Sequence, residues 1–208
     1  MTIYFIRHGE TDLNRQNIVQ GSGMDTELNA LGHAQAKAFF DAYQSVDFDL
    51  VVTSRLRRTH QTVRHFLDKD IPWFQTADIN EISWGTHEGT SPSPEQHRAF
   101  QDLLADWKAG NFDAALPEGE SAQQLGERVA RFIAWIRTRP ERHILVATHG
   151  RTMRAIITQL KGCSLTDMDG VAHVNTGCYI AHLKDDSVVF ERENDVTHLT
   201  VADLWPTP

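Results

Sequence analysis

Two histidines stand directly before a glycine and close behind an apolar run: His8 in Ile6-Arg7-His8-Gly9-Glu10-Thr11, and His149 in Ala147-Thr148-His149-Gly150. A histidine acts as a nucleophile when one ring nitrogen is free and the other is held as a donor, which fixes the tautomer. At the end of a strand a backbone carbonyl can do the holding. Phosphoryl transfer to such a histidine needs positive charge around the equatorial phosphate oxygens. Arg7 stands beside His8, and Arg55, Arg57 and Arg58 cluster behind another apolar run. Arginine suits the task because its planar fork grips phosphate in two places. Gly9 has no side chain to hinder a close backbone approach. Attack by His8 would form a phosphohistidine and need a proton at the leaving oxygen. Water would then attack, and the same carboxyl group could take its proton.

The elements that would position these groups are legible. Thr2–Ile6, Asp49–Thr53 and His143–Thr148 are short, apolar and β-prone, as in strands buried on both faces. Helical patterns lie between and after them, over Leu31–Tyr43, Arg55–Leu67, Ser121–Arg137 and Gly150–Leu160. The third of these puts Leu125, Val129, Phe132, Ile133 and Ile136 on one face and opens on an N-cap at Ser121. Gly177–Leu183 and Ser187–Glu193, split by Lys184-Asp185-Asp186, read as a hairpin. Strands alternating with helices predict an α/β fold: a three-layer α/β/α sandwich on a mostly parallel sheet. Ligands in such sheets bind beyond the carboxyl ends of the strands. Arg7-His8, Ser54 to Arg58, and His149 all fall at those ends. The stretch from about Ser91 to Leu116, with Pro92, Pro94 and a polar helical piece at Glu95–Lys108, reads as a short capping excursion that would form a lid.

Composition narrows the function. The 208 residues are read as a single domain, and 40% hydrophobic with 23% charged residues is ordinary for a soluble globular chain. A net charge of −8 supplies no basic field for nucleic acid. No apolar run is long enough to cross a bilayer, so no membrane partner is expected. Arg7 follows the first apolar residues instead of preceding them, unlike a signal peptide, which points to a cytoplasmic protein. Cys163 and Cys178 then read as two reduced thiols.

Taken together, the motifs resemble the histidine phosphatase superfamily, the phosphoglycerate mutase-like group. The matching stretches are Arg7-His8-Gly9-Glu10-Thr11 with Asn14, Gln20-Gly21, Leu28-Asn29-Ala30-Leu31-Gly32, Thr53-Ser54-Arg55-Leu56-Arg57-Arg58-Thr59 with Thr62, and Asn80-Glu81-Ile82 with Gly85 and Glu88-Gly89. Pro117-Glu118-Gly119-Glu120-Ser121, Thr148-His149-Gly150 and Asn175-Thr176 complete the set in family order. The resemblance implies that His8 is the phosphorylated nucleophile. It implies that Arg7, Arg58 and His149 bind the transferring phosphate with help from Asn14, and that Glu81 is the general acid. Gln20, Gly21 and Gly150 are expected to line the substrate site. The family's phosphate-binding arginine lies two residues after the leucine, which selects Arg58 over Arg55. Glu81 is preferred to Glu88 and Asp78 as the acid, and Glu10 is expected to bond backbone or an arginine. Neither a metal nor a cofactor is implied.

The mutases of this group follow their acid with an arginine and a tyrosine and carry paired arginines in a longer insertion. Here Ile82 and Ser83 follow Glu81, and the excursion offers only His97, Arg98 and Lys108. The expectation is therefore a phosphomonoesterase of the small phosphatase branch, acting on a small phosphorylated metabolite through a phosphohistidine. The first alternative is a phosphoglycerate mutase. A non-catalytic binding protein on this fold would be expected to lack one of His8, Arg58, Glu81 or His149, and all are present. Trp84 and Trp107 are candidates to wall the pocket, and His60 is a lesser candidate for substrate contact. The partner is a small phosphate ester, and a homodimer is compatible with this reading.

Overall fold

The computed structural model describes residues 1–208 except 92, 202–203 and 205–208. In chain order the elements are β1 (Thr2–Arg7), α1 (Asp12–Arg15), α2 (Ala30–Tyr43), β2 (Leu50–Thr53), α3 (Arg57–Thr62), α4 (Arg64–Leu67), β3 (Trp73–Gln75), α5 (Pro94–Lys108), α6 (Ala122–Arg137), β4 (His143–Thr148), α7 (Gly150–Leu160), β5 (Cys178–Lys184), β6 (Ser187–Asp195) and α8 (Thr197–Val201).

The apolar runs alternate sides because successive strand residues point to opposite faces. Ile3, Phe5, Leu50, Val52, Ile144 and Val146 pack on one face with residues of α6 and α7. Ile6, Val51, Leu145 and Ala147 pack on the other with Phe39 of α2 and Phe66 of α4. That makes three layers. The sheet order is β3-β2-β4-β1-β5-β6. β1 and β2 both run parallel to β4, β3 runs parallel to β2, and only β5 and β6 are antiparallel to their neighbours. The three strands expected from sequence to carry the site thus sit side by side at the centre.

The helices begin where the side chains can cap them. Ser121 accepts from the Gln124 N–H while the Gln124 side chain returns to the Ser121 backbone, so the N-cap expected for α6 is present. Leu125, Val129, Phe132 and Ile136 are buried as expected, while Ile133 is only half-buried. The helix expected over Arg55–Leu67 starts later and breaks at Val63 into α3 and α4. Ser54 Oγ takes the Leu56 N–H, holding the preceding residues as a loop. The excursion is built around α5, capped by Ser93 with Gln96. Leu103 and Trp107 bury its inner side in the same apolar cluster as α6 and α7.

Candidate active site

His8 follows the last residue of β1, and its backbone N–H donates to the Thr148 carbonyl of β4 at 3.0 Å. Its ring is nearly fully buried, and Nδ1 donates to the Gly9 carbonyl at 2.7 Å. That bond places the proton on Nδ1 and leaves the Nε2 lone pair free, as a nucleophile requires. Burial, followed by the nearby Arg58 and Arg7 charges, holds the His8 pKa well below the ordinary histidine value. The ring is therefore neutral at neutral pH.

The loop carrying His8 is clamped from several directions. Asn175 Nδ2 donates to the His8 carbonyl at 2.9 Å, and the Thr176 N–H donates to the Arg7 carbonyl at 3.0 Å. The Gly9 N–H donates to Thr62 Oγ1 at 2.9 Å. Gly9 serves this clamp: a Cβ there would meet the Gly32 carbonyl oxygen at 2.6 Å, so the first loop lies directly on the start of α2.

Glu81 reaches the same space from the loop after β3. Its carboxylate accepts the Arg151 and Thr152 N–H groups, both at 3.1 Å, at the start of α7. The helix terminus thus orients the acid candidate with its otherwise unpaired amides. The loop itself is tied to α6. Arg128 donates to the carbonyls of Asp78 and Asn80, each at 2.8 Å, while pairing through Nε and Nη2 with both Glu120 oxygens. Asp78 turns away to Arg131. Glu88 accepts the Trp84 and Gly23 N–H groups, and Glu10 accepts from Asn29 Nδ2 and not from an arginine. None of these three lines the cavity in front of His8.

That cavity, about 190 Å³, is lined by Arg7, His8, Asn14, Ile18, Val19, Gln20, Glu81, Trp84 and Phe100. Asn14 Oδ1 is taken by the Thr11 N–H and Asn175 Nδ2, which leaves its amide N–H groups for a ligand. Gln20 lines the wall, although its amide is tied to Thr11 and Thr26. Arg58 and His149 lie behind this surface, with their rings and guanidinium fully buried. Arg58 Nε donates to His149 Nδ1 at 3.1 Å, and its other nitrogens donate to the Met24 and Gly21 carbonyls. His149 Nε2 then carries the proton and donates to Ser54 Oγ at 2.8 Å. Both ring nitrogens of His149 are engaged, and its ring centroid lies 5.2 Å from that of His8. Burial lowers the Arg7 and Arg58 pKa values to about 10, so both stay charged at neutral pH.

Gly21 and Gly150 do not line the cavity. A Cβ at Gly21 would meet Glu88 Oε1 at 2.0 Å, and one at Gly150 would meet the His173 ring at 3.1 Å. Trp84 is a wall as expected, whereas Trp107 stacks behind it at 6.0 Å and is fully buried. His60 shares a hydrogen bond with the Ser54 carbonyl and stands edge-on to Trp73, away from the cavity.

His173, which no sequence motif marks, also belongs to the site. Arg7 Nη1 donates to His173 Nδ1 at 3.0 Å, while the buried Arg7 Nε has no partner among the described residues. Burial, aided by Arg7, Arg154 and Arg151, pushes the His173 pKa down to about 2, so it stays a neutral acceptor. His173 is a positioning residue for Arg7. Replacing it with alanine is expected to raise KM for a phosphate ester about tenfold, the typical worth of one hydrogen bond to a charged group. His173→Gln, which keeps an acceptor, should recover most of the loss. Equal damage by both variants would show that the ring only fills space. Nothing in the spacing of the sequence singles His173 out, because its partner lies far away in the chain.

The profile of the histidine phosphatase superfamily (branch 1) matches residues 3–196. A 2,3-bisphosphoglycerate-dependent phosphoglycerate mutase of Mesorhizobium japonicum is 29% identical over 202 residues, covering 92% of this chain and 97% of the relative. The crystal structure of an alpha-ribazole phosphatase from Shigella flexneri superposes with a TM-score of 0.82 at 26% identity, covering 94% of this chain and 96% of the other. A phosphoserine phosphatase from Entamoeba histolytica has a TM-score of 0.81 at 22% identity, covering 95% and 98% of the two chains, and shares the fold.

Proposed function

Because the chain belongs to the histidine phosphatase superfamily (branch 1), we propose that it is a phosphomonoesterase acting through a phosphohistidine on His8. The observation that carries the reading is the His8 ring itself: Nδ1 is locked on the Gly9 carbonyl, and Nε2 is free beside the cavity. Arg7, whose Nε is unpartnered, and the free amide of Asn14 would take the phosphate oxygens. Arg58 adds positive charge from behind, held by His149. Glu81 would give its proton to the leaving alcohol and then take one from the attacking water.

Hydrolysis is favoured over phosphoryl return because a mutase must hold a second anionic group. Arg7 is the only arginine or lysine among the nine residues lining the cavity. The neighbouring cavity, lined by Asn17, Val19, His87, Gln96, His97, Phe100 and Gln101, has neither. The expected result is hydrolysis of p-nitrophenyl phosphate that persists in excess chelator. Incubation with 3-phosphoglycerate and its bisphosphate should release inorganic phosphate. Rapid isomerisation without phosphate release would replace the phosphatase by a mutase.

A further inference from the structure

The cavity in front of His8 is small for a substrate, because small-ligand sites commonly occupy about 300–1,000 Å³. A second cavity of about 280 Å³ adjoins it, and Val19 and Phe100 line both. Together the two reach the ordinary size of a ligand site. The second space lies between the segment around Asn17, the loop that carries His87, and the helix α5.

Its chemistry differs from the first. Val19 and Phe100 give it apolar walls, and no carboxylate, lysine or arginine lines it. At its edge stands His87, in the short turn Gly85–His87. Both ring nitrogens of His87 are buried, and neither has a hydrogen-bond partner among the described residues. Leaving two buried ring nitrogens unpaired costs free energy, so a ring in this state calls for a partner. The other polar side chains are spoken for or peripheral. Gln96 is tied to Ser93 and Thr90, while Asn17, His97 and Gln101 are exposed at the rim. Trp84, which lines the first cavity, packs against Trp107 and Phe100 at 6.0 and 5.1 Å.

We propose that this second cavity receives the alcohol part of the phosphate ester and that His87 hydrogen-bonds it there. The substrate class is then a monophosphate of an uncharged alcohol with a flat apolar body and a polar edge, of the nucleoside kind. A phosphorylated acid such as phosphoserine or phosphoglycerate would bring a carboxylate to a cavity whose lining offers it no lysine or arginine. The inference rests on the phosphatase reading, since the phosphate must sit at His8 for its alcohol to lie over Val19 and Phe100.

The test is a panel of kcat/KM values: a purine and a pyrimidine nucleoside 5′-monophosphate, 1-naphthyl phosphate, phosphoserine and 3-phosphoglycerate, with p-nitrophenyl phosphate as reference. The native chain should favour at least one nucleotide over both acids by about tenfold or more. His87→Leu, which keeps bulk but removes both nitrogens, should lower the nucleotide-to-naphthyl ratio about fivefold, the worth of one neutral hydrogen bond. Binding of the same nucleotide to a His8→Asn chain, which cannot turn it over, should weaken by a similar factor when His87→Leu is added. Preference for either acid, or an unchanged ratio and unchanged binding in His87→Leu, overturns the subsite while leaving the phosphatase intact. Absence of hydrolysis across the whole panel, reference included, overturns the phosphatase reading and the subsite with it.

Discussion

Replacing His8 by alanine is expected to lower turnover of p-nitrophenyl phosphate by roughly 10⁴-fold or more, the scale on which enzymes lose rate when a covalent nucleophile is removed. The remaining groups can bind and polarise phosphate, but no other imidazole is among the residues lining the cavity. His149 is the nearest ring, and both of its nitrogens are engaged with Arg58 and Ser54. Rescue by His149 is therefore not expected. A companion variant, His8→Asn, separates chemistry from architecture. Its amide can still donate toward the Gly9 carbonyl, so the loop should keep its shape. It has no lone pair of comparable nucleophilicity. Both variants should fail to trap an acid-labile phosphoryl group from labelled substrate, whereas the native chain should trap one. Substantial turnover in His8→Asn would remove His8 from the nucleophilic role and turn attention to direct attack by water.

The second large effect concerns acid. The buried rings of His8 and His149 have pKa values held well below the ordinary value, and burial lowers His198 to about 4. In the unfolded chain each would titrate near 6.5. Below that value the unfolded state takes up protons that the folded state refuses, so stability falls as pH falls. Each refused proton costs about 1.4 kcal/mol per pH unit once the unfolded histidine is protonated. Summed over these three rings, lowering the pH from 6 to 5 should remove about 3–4 kcal/mol of stability. For a chain of this size the melting temperature would drop by roughly 10 °C. His173, lowered to about 2, acts in the same direction. Denaturant unfolding at pH 7, 6 and 5 measures the slope. Equal stability at pH 7 and 5, or ring titrations near 6.5 for these histidines in the folded protein, would contradict this account.

How far the site could be read in advance follows from the range of the forces involved. β1, β2 and β4 were readable because strands buried on both faces leave an uninterrupted apolar run, and their ends mark the rim. α6 and α7 were readable because one face of each must be apolar. The site residues at those ends, Arg7, His8, Arg58 and His149, were found together for the same reason. β3 was not readable. Trp73, Phe74 and Gln75 are all exposed, and their order comes from backbone pairing to β2 at the sheet edge. The helix after β2 starts later than its sequence predicts and breaks at Val63, since no residue type announces the Ser54 bond to the Leu56 amide. The ties that aim the site were also hidden. Arg128 reaching the carbonyls before Glu81, and His173 receiving Arg7, join residues distant in the chain through single polar contacts. Such contacts have no period and leave no pattern along the sequence.

The order of strands across the sheet bears on how the molecule is made. β1 has β4 on one side and β5 on the other, pairing Thr2 with both His143 and His182. No strand synthesised early can cover it. At the usual pace of translation, about 5–20 residues per second, the run Ile3 to Ile6 waits roughly ten to thirty seconds for both neighbours to be made. An uncovered apolar strand is a target for chaperones and for misassociation. His8 is thus synthesised well before the two strands that complete its surroundings. Appearance of activity in a refolding chain would report the closing of the sheet across its full sequence span.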